Sequence, residues 1–304
     1  NDWGFAELVE DAGKNVFPGD ENYTTLFTWF MMLKAGYKVK AGLNEKRVVL
    51  LIPSPSKMYS TSIFNLDGQK YYVYASEEQK RKVSGSFFTY QGEYNQGNQS
   101  VNLFIKKSPE FRVNPKEVKK KWNFEGKEYS LTLKCNPSAM AFYTHYPQTD
   151  LPIYFSSEPS SIAVKALDNQ MAPMLEGRSQ QEKVQFLLTF VQQAIAYKTD
   201  DEQFGFEKYF FPEEVLFYPY ADCEDRSAFF AWLVKHFTGL PVVGLDYPGH
   251  VSAAVSFPES VSGDYFTHEG KKFVICDPTY IGSRIGQAMP LYKKEAFDII
   301  QPVY

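Results

Sequence analysis

The sequence is poor in cysteine, with only Cys135, Cys223 and Cys276 in 304 residues. Thiols so few and so widely spread exclude a disulfide framework and leave room for one bridge at most. Long apolar runs are missing too. None approaches the roughly 20 residues a membrane helix needs, so no membrane span is expected, and no signal peptide is visible. An excess of positive charge is also absent, since 32 Lys and Arg stand against 36 Asp and Glu for a net charge of −4. A chain without a positive field is a poor match for phosphate backbones, which argues against nucleic acid as a partner. The basic cluster Lys116, Lys119, Lys120 and Lys121 before Trp122 reads as a solvated linker or strand edge. No phosphate loop, dinucleotide fingerprint or HExxH helix occurs, so no cofactor is expected. A zinc set of Cys223, His250, His268 and Cys276 can be drawn, but it lacks paired ligands at short spacing, so no metal is expected either.

What the chain does have is aromatic residues, 26 Phe and 21 Tyr, which favour β-rich structure because rings suit a half-buried pleated surface. Its length implies two or three domains. From residue 171 to 304 the pattern is α/β. Ser179 and Glu182 form a capping box, and Val184, Leu187, Leu188, Val191 and Ile195 then fall on one helical face. An aromatic loop leads into Ala221-Asp222-Cys223, where a second helix starts, with Phe229, Phe230, Leu233, Val234 and Phe237 as its buried stripe and Gly239 at its end. Strands are expected at Val242 to Leu245, Val251 to Val255 and, after a turn at Glu269-Gly270, Lys271 to Cys276. Residues 84–170 read as a small antiparallel sandwich with runs at Phe87 to Tyr90, Val101 to Ile105, Tyr129 to Leu133 and Ala141 to Tyr146, followed by a connection from Pro147 to Ser161.

Residues 1–83 repeat the order of elements found near the C-terminus. Trp29 to Gly36 is similar to Trp232 to Gly239, and Asp67 to Tyr74 is similar to Glu269 to Cys276, with nearly the same offset. Under this pairing Cys223 corresponds to about Asp20, His250 to Arg47 or Val48, and Asp277 to Ala75, so the N-terminal copy would lack the chemistry. A chance match between two helix–strand–hairpin segments is the alternative.

The chemistry-bearing set is Cys223, His250 and Asp277. A thiol attacks as thiolate, and an unperturbed pKa of about 8.5 leaves little thiolate at neutral pH. Cys223 at a helix start gains from the backbone N–H groups and the dipole. His250 follows Pro248-Gly249 at the lip of a strand, and Asp277 ends the next long strand. A helix and two antiparallel strands would bring all three to one end of a sheet, with His250 as base and Asp277 fixing its tautomer. The backbone N–H of Cys223 is one expected oxyanion donor. Tyr218 and Tyr220 are the nearby hydroxyls, with loop packing as their alternative role.

The strings Asp222-Cys223-Glu224-Asp225-Arg226-Ser227-Ala228-Phe229-Phe230, Asp246-Tyr247-Pro248-Gly249-His250 and Cys276-Asp277-Pro278-Thr279 together resemble the three-block signature of the transglutaminase-like superfamily. The resemblance spans about residues 171–290. It departs in Ala221 before the acidic residue, where many members have Gly, and in lacking a Trp just after the histidine, which bears on substrate class.

The resemblance implies a papain-like, transglutaminase-like catalytic core at 171–304; with the central β-rich domain read at 84–170 and the N-terminal α/β segment read at 1–83, which could be a degenerate copy of the core, the fold class expected is α+β. The resemblance implies a cysteine hydrolase or acyltransferase acting on protein or peptide amides, cell-wall peptides included, through a Cys223-His250-Asp277 triad and a thioester. It also implies an exported bacterial protein, periplasmic or at the cell surface. The first residue is Asn rather than Met, which fits a chain whose targeting segment has been removed. The rival expectation is an inactive binding or scaffold protein that keeps the fold.

Overall fold

A computed structural model describes residues 1–92, 94, 97–110 and 114–303. The fold is mixed α+β and divides into two compact units, residues 1–104 with 142–150, and residues 105–141 with 151–304. The expected boundary at 83/84 lies inside the first unit and that at 170/171 inside the second.

In the first unit, α1 (Asp2–Val16) and α2 (Glu21–Lys34) precede β1 (Lys40–Asn44), β2 (Arg47–Pro53), β3 (Ile63–Leu66), β4 (Gln69–Tyr74) and β5 (Phe87–Thr89). All pairings are antiparallel, in the order β3-β4-β2-β1-β5. Helix α2 packs on β2. One face of the sheet buries Val49, Leu51, Tyr71 and Val73, with Phe64 and Phe87 closing over them.

The second unit opens with the long hairpin β6 (Lys116–Phe124) and β7 (Lys127–Cys135). Next come α3 (Pro137–His145), through which the chain passes between units, then α4 (Leu151–Phe155), α5 (Ser161–Leu175) and α6 (Gln180–Ala194). After these follow β8 (Ala196–Tyr197), α7 (Asp200–Gln203), α8 (Pro212–Phe217), β9 (Tyr220–Ala221) and α9 (Cys223–Thr238). The chain closes with β10 (Val242–Tyr247), β11 (His250–Val255), β12 (Tyr265–His268), β13 (Lys271–Cys276) and β14 (Asp298–Ile300). The strand order is β12-β13-β11-β10-β14, again all antiparallel.

Replacing each strand of the first sheet by its counterpart, β1 by β10 through β5 by β14, gives the second sheet's order. Both sheets are curled antiparallel half-barrels. The shared detail extends to register, since Asn44 faces Arg47 in one hairpin as Tyr247 faces His250 in the other. Likewise Leu50 faces Tyr74 and Ala253 faces Cys276.

The local signals explain most elements. Ser179 and Glu182 form the capping box at the start of α6. Helix α9 ends at Gly239 with φ 71°, a left-handed cap that costs a residue without Cβ little. Glu269 and Gly270 both have positive φ at the β12–β13 turn, the geometry that matches the right-handed twist of flanking strands. Helix α9 is buried on nearly every face from Glu224 to Val234, while Phe237 is only half-buried. Such a helix belongs inside a core, and α9 lies between α6 and β11. Trp122 on β6 packs edge-on against Phe186 and Phe190 of α6. Each such ring removed from water contributes about 1.5–3 kcal/mol.

The expected central sandwich is one hairpin plus helices. Ala141 to Tyr146 falls largely in α3, because Asn136 and Pro137 start a helix there and the Asn136 side chain accepts from Ser138 N at 3.1 Å. Val101 to Ile105 forms no strand, and the connection after Pro147 contains the buried α4. Of the lysine cluster, Lys120 is buried and burial lowers its pKa to about 8.

Candidate active site

The triad candidates occupy one end of the second sheet. Cys223 is the first residue of α9, after Asp222 at the cap position. Its N–H is therefore among those with no carbonyl one turn back inside the helix. His250 opens β11 directly after the Pro248-Gly249 turn, and Asp277 directly follows β13. Since β11 pairs with β13, the two meet. His250 Nε2 lies 2.9 Å from Asp277 Oδ2, with His250 6% and Asp277 1% exposed.

The other carboxylate oxygen of Asp277 accepts from the main-chain N–H groups of Thr279 and Tyr280 at 2.9 and 3.1 Å. The Gln192 amide on α6 donates to the carbonyls of Asp277 and Tyr280 at 3.1 and 2.9 Å, holding the turn from behind. Tyr292 stacks on the His250 ring at 4.6 Å. With Nε2 engaged, Nδ1 is the ring atom left for proton transfer.

Cys223 and His250 line the same cavity of ≈ 420 Å³. The first turn of α9 is fastened to β11 beside the histidine, because Ser227 Oγ donates to the Val251 carbonyl at 3.0 Å. The neighbouring motif residues have equally local tasks. Asp225 accepts from Phe210 N at 2.7 Å, and Arg226 donates to the carbonyls of Ile195 and Pro278, tying α6 to the segment that carries Asp277.

The electrostatics run against the sequence expectation of an activated thiol. Cys223 Sγ donates to Glu224 Oε2 at 3.0 Å. Burial first, then the Glu224 carboxylate, push the thiol pKa far up, and the Val251 N–H pulls only partly the other way. Three carboxyl groups beside it share the effect. Burial raises Asp200 to about 7, burial and the charge of Glu224 raise Asp222 to about 8, and burial raises Glu224 to about 7. Helix-start stabilisation of a thiolate, worth typically 0.3–1 kcal/mol, is outweighed by desolvation and by anions at hydrogen-bond range.

Asp200, Asp222 and Glu224 each offer an oxygen within 4.8 Å of the others, the group among the described residues that could gather around a cation. His268 and Cys276 are not part of it. Cys276 is fully buried, as is Cys135, and all three cysteines are free.

Tyr218 stacks on Phe210 at 4.9 Å, which is a packing role, and Tyr220 is 39% exposed. Neither lines the cavity, whereas Tyr197, Tyr209, Asp201 and Glu207 do. Burial, and then repulsion from Cys223 and Asp222 once these ionise at high pH, raise the Tyr197 pKa to about 12. Sequence reasoning missed these residues and Gln192. They lie 14–31 positions from Cys223, brought in by the parallel pairing of β8 with β9 and by α6.

No helix among the described residues is long and apolar enough to cross a membrane. No family model matches this chain, and no curated protein matches it.

Proposed function

We propose that the second unit is a cysteine-dependent hydrolase or acyltransferase of peptide amides, with Cys223 as nucleophile, His250 as proton carrier and Asp277 as the group that orients it. One observation carries the reading. A cysteine at a helix start and a histidine paired at 2.9 Å to a buried aspartate line one cavity. The sulfur attacks the amide carbonyl carbon while its proton passes to His250 Nδ1. The tetrahedral oxyanion takes the free N–H of Cys223 and, as second donor, the Tyr197 hydroxyl. His250 then protonates the departing nitrogen, the C–N bond breaks and a thioester remains. Water, or another amine, adds to it with His250 taking a proton, and the sulfur leaves.

The cavity wall carries Asp200, Asp201, Glu207, Asp222 and Glu224. Such a wall favours a substrate with an ammonium group beside the scissile amide, and an incoming cation would weaken the anionic field that keeps the thiol protonated. Peptides with free amino groups, cell-wall peptides among them, suit it, and an exported location belongs to the same proposal. The rival reading, a binding cavity without turnover, is favoured by one observation: the Cys223 thiol keeps its proton and donates it in a hydrogen bond to Glu224. Turnover of an amino-bearing peptide-amide library by wild type and Cys223→Ala separates the two. Products that vanish in the variant support the enzyme, whereas none from wild type, or equal yields from both, leaves the binding protein.

A further inference from the structure

The first unit carries a cavity of ≈ 240 Å³ at the place where the second unit carries its triad. The repeated register identifies the counterparts. Arg47 opens β2 as His250 opens β11, and Ala75 follows β4 as Asp277 follows β13. Counting from the helix caps pairs Glu21 with Cys223, and counting from the C-terminal glycines pairs Asp20 with it. All of Asp20, Glu21, Arg47 and Ala75 line this cavity. The counterpart site therefore has neither the cysteine nor the histidine of the triad, yet it has not been filled by packing.

Its lining is unlike a leftover core. The floor is Val49, Leu50 and Ala75 with the buried Thr24 and Thr28, and both signs of charge stand around it. Lys80 is taken by Glu21 and Glu77 at 2.7 and 3.0 Å, and Tyr74 donates to Glu10 at 3.1 Å. Arg47 donates to the Lys80 carbonyl, and among the described residues it makes no ion pair. A half-buried guanidinium with spare donors is a fork for a carboxylate. Glu10 and Glu77, on the same lining, already hold Lys14 at 3.5 Å and Lys80 at 3.0 Å, and a ligand ammonium would share these carboxylates with them.

We propose that this cavity binds a zwitterionic amino acid or short peptide, its carboxylate on Arg47 and its ammonium toward Glu10 and Glu77. The volume is below that of drug-sized pockets, about 300–1,000 Å³, which suits one or two residues. A recess that shares Gly19, Asp20, Glu21 and Arg47 with the cavity leaves room for a longer chain. The first unit would then be a sensing or docking module, independent of any chemistry at Cys223.

Isothermal titration of the whole protein tests this with free amino acids, Ala-Ala and Ala-Ala-Ala, each beside its N-acetyl and C-amide form. A free form should bind and each blocked form should bind about tenfold more weakly or worse. Arg47→Met should weaken binding about 10–100-fold, Arg47→Lys should restore part of it, and Cys223→Ala should bind as wild type. No binding by any probe, equal binding of blocked forms, or wild-type affinity in Arg47→Met overturns the proposal. The blocked-probe comparison uses wild-type protein and stands whatever the stability of the variants. Loss of turnover without loss of this binding separates it from the catalytic reading.

Discussion

Replacing Glu224 by Gln probes why the thiol is held protonated. The acceptor Oε2 is 3.0 Å from the sulfur and Glu224 is 5% exposed, so solvent screens the pair poorly. Two full negative charges about 3 Å apart at an effective dielectric of about 20 repel by roughly 5 kcal/mol, which is a ceiling. Glu224, its pKa raised to about 7 by burial, is ionised at the higher pH where the thiol titrates. Relaxation and water entering the cavity reduce the repulsion to roughly 1.5–3 kcal/mol, or about one to two pKa units. Removing an anion favours the thiolate, so the sign is downward, and the glutamine amide can donate to the sulfur as well. The assay is the pH dependence of iodoacetamide alkylation, read by peptide mass spectrometry so that Cys135 and Cys276 are scored separately. Glu224→Gln should move the Cys223 midpoint down by about one unit or more. An unchanged or raised midpoint would refute the assignment of Glu224 as the nearby group that holds the proton.

His250→Ala should abolish peptide-amide turnover, and Asp277→Asn should lower kcat on the order of 10²–10⁴-fold with smaller change in KM, as steady-state kinetics would report. Gln192→Ala should lower stability by about 1–3 kcal/mol in denaturant unfolding, because the half-buried Tyr280 carbonyl loses the Gln192 donor and the buried Asp277 carbonyl keeps only the Ser283 hydroxyl. Stability should also depend on pH through the buried carboxyl groups. Asp200, Glu224 and Asp222 have folded pKa values raised to about 7, 7 and 8, against about 4 unfolded. Raised values mean the folded state binds more protons, so this contribution is full below about pH 4 and is lost as pH rises through about 8. Calorimetry should find Tm falling across that window, and Asp222→Asn with Glu224→Gln should flatten the fall.

The parts of this fold legible in the sequence were those written in short-range chemistry. Ser179 with Glu182, Gly239 after a buried run, and Glu269-Gly270 between two strands each fix a boundary through a few neighbouring residues. The repeated order of elements was legible through Gly36 and Gly239, and the shared strand order agrees with it. Where local patterns were ambiguous, packing decided. Aromatic residues in Ala141 to Tyr146 looked β-like, but the turn at Asn136-Pro137 starts a helix. Helix α5 was missed although Ser160 accepts from Ala163 N at its start and Leu167, Met171 and Leu175 follow at helical spacing; Pro173 near its end obscured the pattern. The candidate site divides in the same way. Cys223, His250 and Asp277 stand at element ends that spacing could anticipate. The carboxylates of Asp200 and Glu207 come to the cavity wall from the short α7 and the loop after it, and no periodicity announces them.

The central claim is that Cys223 forms a covalent acyl bond with a peptide-amide substrate. Rapid acid quenching of wild-type protein with an amino-bearing peptide amide, followed by intact-mass and peptide mass spectrometry, measures it directly. The account predicts an acyl adduct on Cys223 that is cleaved by hydroxylamine and absent in both Cys223→Ala and His250→Ala. Substrate turnover with no adduct at any time point, or undiminished turnover by Cys223→Ala, would contradict it.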